Sequence, residues 1–377
     1  MSNDTPAPLT TWLPHPLAPD VKQSVDRLRR SDDVRHVALM PDIHLAKDVC
    51  IGAVVATERL IYPAAIGGDI GCGIVTLAFD ADASVIDHAK GAAQVLAGLY
   101  ELVPSNKHRK PRDLPTTLPL HELSDPRLQR LAGRDSRVQL GTLGRGNHFL
   151  EFQADQDGRL WVMIHSGSRA VGQAVTEHHL EQATSAGSGL KYLDSAEASG
   201  QAYLADVRWA RAYASENRLA MLTAVRELMH RFFKVASDWD SMIHCDHNHV
   251  QQETHDGKLL WIHRKGAQSA NSRELGIVPS SMGTPSFHTL GRGCAEALMS
   301  CSHGAGRALS RSEARQTVSG KDFARQVGKL WYDHRHATRL RDEAPSAYKE
   351  IRQVMKAQRD LTRIVREVRP LLTYKGV

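Results

Sequence analysis

Histidines recur beside glycine and other small residues in this chain: GRGNH ends at His148, MIHSGSR carries His165, and SMIHCDHNHV carries His247. In AAIGGDIGCG, Asp69 and Cys72 stand close together in a turn whose glycines let the backbone fold tightly and aim both side chains at one spot. A carboxylate, a thiolate and imidazoles form a mixed hard and soft donor set suited to a first-row divalent ion, and softness alone points to zinc. Five donors exceed one tetrahedral site, so a pair of ions sharing a bridging ligand fits the count, as in two-metal phosphoryl chemistry. Taken singly, each histidine is more readily a hydrogen-bonded structural residue, and the turn a plain glycine turn over a buried thiol. Their recurrence shifts the balance toward a metal centre.

A further histidine, His303, lies in CSHGAGRALSR. A partly neutral imidazole is a nucleophile that can attack phosphorus and hold the group as a labile phosphoramidate. The neighbouring glycines permit close approach of phosphates, and Arg307 can neutralise them. The plainer reading is the approach to a helix, since SRSEA looks like a capped helix start; the two are compatible because helix N-termini also attract phosphate.

The elements that must position these groups come in blocks. DVKQSVDRLRRS reads as a short amphipathic helix, HVALM as a buried strand ending at Pro41, and IVTLAFD as the strand that closes a polar, glycine-punctuated stretch. DASVIDHAKGAAQVLAGLYELV has helical spacing, and residues 105–120 read as a loop. NHFLEFQ and LWVMIHS flank the turn signal ADQDGR and predict a hairpin. From about 171 to 236 the pattern is helical with a break near SAGSG; SMIHC, KLLWIHRK and IVPSS are strands; and residues 311–368 read as helices separated at Pro345. Such blocks predict an α+β fold rather than a doubly wound parallel sheet. The 377 residues are assigned to one domain, 1–377, with 1–20 loosely ordered, and no internal repeat is present.

Bulk properties exclude several classes. Apolar content of 41% and charged content of 24% are those of a globular chain, not a disordered one. No apolar run of about eighteen residues and no secretory pattern occurs, which predicts a cytoplasmic protein with no membrane partner. The five scattered cysteines argue against a disulfide framework and for thiols or metal ligands. The net charge of +6, with basic residues gathered toward the C-terminus, suits a polyanionic partner such as RNA, though solvated basic helix faces give the same balance.

Taken together, the blocks PDIH (41–44), YPAAIGGDIGCG (62–73), GTLGRGNHFLE (141–151), IHSGSR (164–169), HNH (247–249), HRKGA (263–267), VPSSMG (278–283), CSHGAGR (301–307), DEAPSAYK (342–349) and YKG (374–376) resemble the RtcB family of RNA ligases. The resemblance runs from near residue 40 to the end of the chain. It implies an RtcB-type fold, mixed and antiparallel β-sheets flanked by helices around a central metal and nucleotide cleft. It also implies an enzyme that joins an RNA 3′-phosphate or 2′,3′-cyclic phosphate to a 5′-hydroxyl with GTP and Mn²⁺, in RNA repair or tRNA splicing.

On that resemblance His303 is the nucleophile that takes GMP from GTP and passes it to the RNA 3′-phosphate, giving an RNA-ppG end that the 5′-hydroxyl attacks with loss of GMP. Asp42 holds the His303 ring. Asp69, Cys72, His148, His165 and His247 hold two ions, with the Cys72 thiolate bridging, Asp69 and His148 completing one and His165 and His247 the other; manganese replaces zinc on family grounds only. Asn147, Glu151, Ser286, Ala305, Tyr348 and Lys375 match positions around GMP. A carboxylate can accept from guanine N1 and N2, which adenine cannot match, so Glu151 would select GTP over ATP. Arg169 and Arg264 lie in matching blocks and are either phosphate contacts or surface ion pairs.

Three positions depart from the family pattern: Ala46 and Ala170 stand for glycine, and Gly68 for a larger apolar residue. None removes a proposed ligand; they imply a divergent branch whose RNA differs from tRNA halves. Two other readings compete. A metal-dependent phosphodiesterase that opens cyclic phosphates without ligation would need the metal ligands but not His303, and a non-catalytic RNA-binding or metal-sensing protein would need neither chemistry intact.

Overall fold

A computed structural model describes residues 5–376 and is a mixed α+β fold built on several sheets. The larger sheet has seven strands in the order Ser237–Asp246, Gly73–Asp82, Arg159–Ser166, Phe149–Asp155, Thr362–Lys375, Ser286–Gly291 and Leu275–Val278, every neighbour antiparallel. The second has five: Leu9–Thr11, Val34–His44, Ile51–Thr57, Lys258–Lys265 and Asn248–His255, antiparallel except for the first pair. Two small sheets complete the set.

One face of the seven-stranded sheet is covered by helices. Val75, Leu77 and Phe79 from one strand and Leu150, Phe152 and Ala154 from another alternate inward, as a period of two requires. They meet Met221, Leu222, Val225 and Leu228 of the long helix Ala198–Phe233 and Val95 and Leu99 of Ala89–Leu102. A rigid, fully buried layer therefore lies directly behind the strand ends that carry His148, His165 and His247.

The expected hairpin, the helix near residue 20 and the break near SAGSG all occur: the helices Arg169–Gln182 and Ala198–Phe233 are separated by the short strands Thr184–Ser185 and Lys191–Asp194. Other expectations need correction. The strand beginning at HVALM does not end at Pro41 but runs Val34–His44, with an irregular register between Leu39 and His44 that leaves the imide nitrogen of Pro41 without a ladder partner to supply. The polar stretch before residue 73 contains the strand Ile51–Thr57, whose IGAVVAT is buried on both faces. Residues 1–20 are not wholly loose: Leu9–Thr11 pairs with Val37, Ala38 and Leu39 and Ala7 is buried, while residues 1–4 lie outside the described part. The largest difference is at the C-terminus. Helix stops at Ala357, and Thr362–Lys375 is a strand hydrogen-bonded on both sides, its β-branched Thr362, Ile364, Val365 and Val368 suiting a pleated surface.

Candidate active site

Asp69 and Cys72 occupy a turn whose Cys72 N–H donates to Asp69 O at 3.1 Å. Asn248 fixes this turn from outside, accepting from Gly71 N–H at 2.7 Å and donating its side-chain amide to Asp69 O at 3.1 Å. His148 immediately precedes the strand Phe149–Asp155, and His165 lies on its neighbour, in register with both Phe149 and Ile74. His247 links two strands, and its N–H donates to Cys72 O at 2.8 Å. Gly167 permits a close approach: a Cβ there would stand 2.1 Å from Asp69 Oδ1, which instead accepts from Ser168 N–H.

Donor atoms from these five residues converge as two triads, Asp69–Cys72–His148 and Cys72–His165–His247, that share the Cys72 sulfur. Cys72 Sγ lies 3.5 Å from His148 Nε2 and 3.2 Å from His165 Nε2; His148 Nε2 is 2.9 Å from Asp69 Oδ2, and His165 Nε2 is 3.3 Å from His247 Nε2. Burial, reinforced by the Asp69 charge, pushes the Cys72 thiol well up. Burial also pushes the His165 and His247 imidazoles well down, so both stay neutral with a lone pair to offer. A thiol, a carboxylate and imidazoles, with the donor atoms of each triad within 4.8 Å of one another, suit divalent cations, whose charge deprotonates a coordinating thiol. All five cysteines are free thiols.

His303 lies against this cluster. Its ring centroid is 4.7 Å from that of His247, and its Nδ1 is 2.7 Å from Oδ2 of the fully buried Asp42. The turn after it hugs the Asp42 strand: Gly306 has φ +73, and a Cβ there would meet Asp42 O at 2.2 Å.

Beside His303 opens a cavity of about 310 Å³ lined by Asn147, Phe149, Glu151, Ala305, Tyr348 and Lys375, with His165 on its metal side. Glu151 is buried and accepts from Thr373 Oγ1 at 2.6 Å and Gln153 Nε2 at 2.8 Å; burial pushes its carboxyl up to about 7 against those bonds and the Lys375 charge.

A model described as "tRNA-splicing ligase RtcB" matches residues 25–125 and 120–376 of this chain. The chain is 34% identical to "RNA-splicing ligase RtcB1" of Escherichia coli ATCC 25922 and 33% identical to "RNA-splicing ligase RtcB" of Escherichia coli K12, each match covering 98% of both proteins. It is 28% identical to "tRNA-splicing ligase RtcB" of Archaeoglobus fulgidus over 90% of this chain and 87% of that one. The chain belongs to the RtcB family. It is an RNA ligase, an enzyme of RNA splicing, and RNA is the substrate class that family membership implies.

The other sequence-derived residues of this RtcB ligase fall variously. Ser286 is buried, but its hydroxyl accepts from Ser280 N–H at 3.1 Å, and Ser280 rather than Ser286 lines the cavity. Arg169 packs outside the cavity, bonding Thr142 Oγ1 at 3.2 Å and Ser105 O at 3.3 Å. Arg264 is neither a surface ion pair nor free for phosphate. Fully buried, it pairs with both carboxylate oxygens of Glu253 and bonds Ser300 Oγ at 2.9 Å and Leu298 O at 3.1 Å, because a buried guanidinium must spend its donors locally. Arg307 reaches the cavity wall, its planes held by Leu309 O, Tyr348 Oη and Asp342 O.

Sequence reasoning missed Glu343, Arg311 and Thr373. Glu343 is the anionic hub of the cavity, accepting from Lys375 Nζ at 2.7 Å, Arg311 at 2.7 Å and Tyr348 Oη at 2.9 Å. Burial raises its carboxyl, but the Lys375 and Arg311 charges outweigh that and hold it at about 2. Glu343 sat in the DEAPSAYK block, so the signal was present; Thr373 lies opposite Glu151 across two strands, a pairing no local pattern announces.

Among the described residues, no helix is long and apolar enough to cross a membrane.

Proposed function

We propose that this RtcB ligase joins RNA 3′-phosphate or 2′,3′-cyclic phosphate ends to 5′-hydroxyl ends, using GTP through a covalent GMP–histidine intermediate. His303 Nε2 attacks the α-phosphorus of GTP, forming a P–N bond as the P–O bond to pyrophosphate breaks. A cyclic end is first opened by water, whose oxygen bonds to phosphorus as the P–O2′ bond breaks and the 2′-oxygen takes up a proton. The RNA 3′-phosphate oxygen then attacks the phosphorus held on His303, returning the electron pair to the ring and giving RNA-ppG. Attack by the 5′-hydroxyl oxygen on the 3′-phosphorus forms the phosphodiester, expels GMP and releases the hydroxyl proton. Guanylylation thus converts a poor electrophile into a good one.

Asp42 accepts from Nδ1–H and so keeps the lone pair on Nε2, the atom that must attack. Asn147, Glu151, Ala305, Tyr348 and Lys375 form the guanosine nucleotide site, Glu151 accepting from base N–H groups; Ser286 supports its wall through Ser280. Two Mn²⁺ ions, one held by Asp69, Cys72 and His148 and the other by Cys72, His165 and His247, would offset charge on the reacting phosphates. Residues 1–377 form one ligase domain working in the cytoplasm.

The observation that carries it is the placement of the Asp42–His303 pair between a nucleotide-sized cavity and a donor cluster sharing one thiol. Mass spectrometry after incubation with GTP and Mn²⁺ tests it: a guanylate adduct on the peptide containing His303 is expected. Its absence, with cyclic-phosphate opening retained, would instead identify a phosphodiesterase.

A further inference from the structure

The nucleotide cavity, at about 310 Å³, is at the small end of ligand pockets and has room for one nucleotide, not for two RNA ends as well. A second groove of about 530 Å³ adjoins it, and His44 and Arg307 line both. Its floor and walls are largely apolar: Leu13, Pro14 and Leu17 from the N-terminal segment face Leu45 and Leu309. Leu45 is 51% exposed there, an uncommon position for leucine beside a reaction centre. The groove's one lysine, Lys349, donates to Pro41 O and Ile43 O, which accounts for two of the three hydrogens of its ammonium.

The two sides of His303 differ. On one stand His247 and the donor cluster, the place for a charged phosphate; on the other stands Asp42, and the groove opens from that side through Ile43 and His44. A 3′-phosphate end needs cations. A 5′-hydroxyl end carries no terminal phosphate and presents an uncharged hydroxymethyl, a ribose and a base, whose faces an apolar wall of proline and leucine can cover.

We propose that this groove receives the terminal nucleoside of the RNA strand bearing the 5′-hydroxyl, with Lys349 or Arg307 meeting the first internal phosphate. The proposal rests on the ligase reading above, and its test separates the two.

Leu45→Glu and Ala308→Glu each place a carboxylate on an exposed position of the groove, so neither disturbs the core. Three steps are then measured separately: GMP labelling of the protein, conversion of a 3′-phosphate strand to RNA-ppG, and sealing of preformed RNA-ppG to a 5′-hydroxyl strand. Labelling and RNA-ppG formation should stay within twofold of the parent, while KM for the 5′-hydroxyl strand in sealing rises about tenfold or more. An unchanged KM in both variants overturns the proposal, as does a loss confined to RNA-ppG formation, which would assign the groove to the 3′-end. Failure of the parent itself to label with GMP would defeat the ligase reading instead.

Discussion

His303 Nδ1 lies 2.7 Å from Asp42 Oδ2, and among the described residues the other oxygen of that fully buried carboxylate has no hydrogen-bond partner. The pair therefore acts as a single orienting bond. Asp42→Asn can present an N–H to the ring and reverse its tautomer, moving the proton to the attacking nitrogen. The rate constant for GMP transfer to the protein should fall by roughly 10²–10⁴ with bound manganese unchanged. His303→Ala should abolish labelling and also leave metal content intact; persistent labelling would reassign the nucleophile.

Cys72 is the one donor common to both triads. Cys72→Ser should therefore weaken both ions together, removing GMP labelling and RNA sealing alike, whereas Cys294→Ser, at a cysteine in neither triad, should do neither. Metal per chain by elemental analysis decides it, and loss of only one ion equivalent would exclude a shared thiolate.

Glu151 gives a pH prediction with a definite sign. Its folded-state carboxyl is raised from 4.5 to about 7, so the nucleotide-free protein holds that proton more tightly folded than unfolded. The stability contributed is complete below about pH 4.5 and is lost as pH climbs through 7. Glu151→Gln removes the cost of ionising a buried acid and should stabilise the protein by about 3 kcal/mol above pH 7, with little effect near pH 4. Its preference for GTP over ATP should meanwhile drop about 10- to 100-fold, the worth of a charged hydrogen bond. Unfolding midpoints across pH and competing-nucleotide labelling measure the two effects.

Lys349 ties the reaction centre together: its ammonium binds the carbonyls on either side of Asp42, and its N–H donates to Gly306 O at 2.9 Å in the turn that carries His303. Lys349→Met should slow labelling about tenfold or more while KM for GTP stays within twofold, and Lys349→Arg should restore part of the rate. Equal changes in both constants would indicate a defect in nucleotide binding rather than in positioning.

Arg264 offers the opposite profile. Arg264→Met takes away the cation that holds Glu253 and leaves that carboxylate only Gln251 and His255 as partners, so about 3 kcal/mol of stability should be lost in denaturant titrations. Pairing it with Glu253→Leu should recover most of that. KM for GTP should not move in either variant; a rise would return Arg264 to the phosphate contacts.

Much of the site was legible because its residues sit in short, distinctive blocks. Asp69, Cys72, His148, His165 and His247 come together as their donor types suggested, and Asp42 meets His303 as the family resemblance implied. The fold was legible where one period dominates, as in the hairpin around ADQDGR and the helix after SAGSG. It was not legible at residues 362–375, where TRIVREVR fits a basic helix face nearly as well as a strand. What settles that segment is a vacant position between Phe149–Asp155 and Ser286–Gly291, two strands remote in the chain. Glu343 and Thr373 were overlooked for the same reason, since each gains its meaning from a partner across the fold.

The order of residues alone sets the available chemistry: one nucleophilic ring, one thiol among carboxylate and imidazole donors, and glycines where the backbone must turn or approach closely. It took the folded chain to show that Arg264 is consumed by Glu253 and that a second groove meets the nucleotide cavity at His44 and Arg307. The physical reason is range. Turn geometry and donor type are set by neighbouring residues, whereas convergence, burial and the pairing of charges depend on which distant strands the hydrophobic core holds side by side.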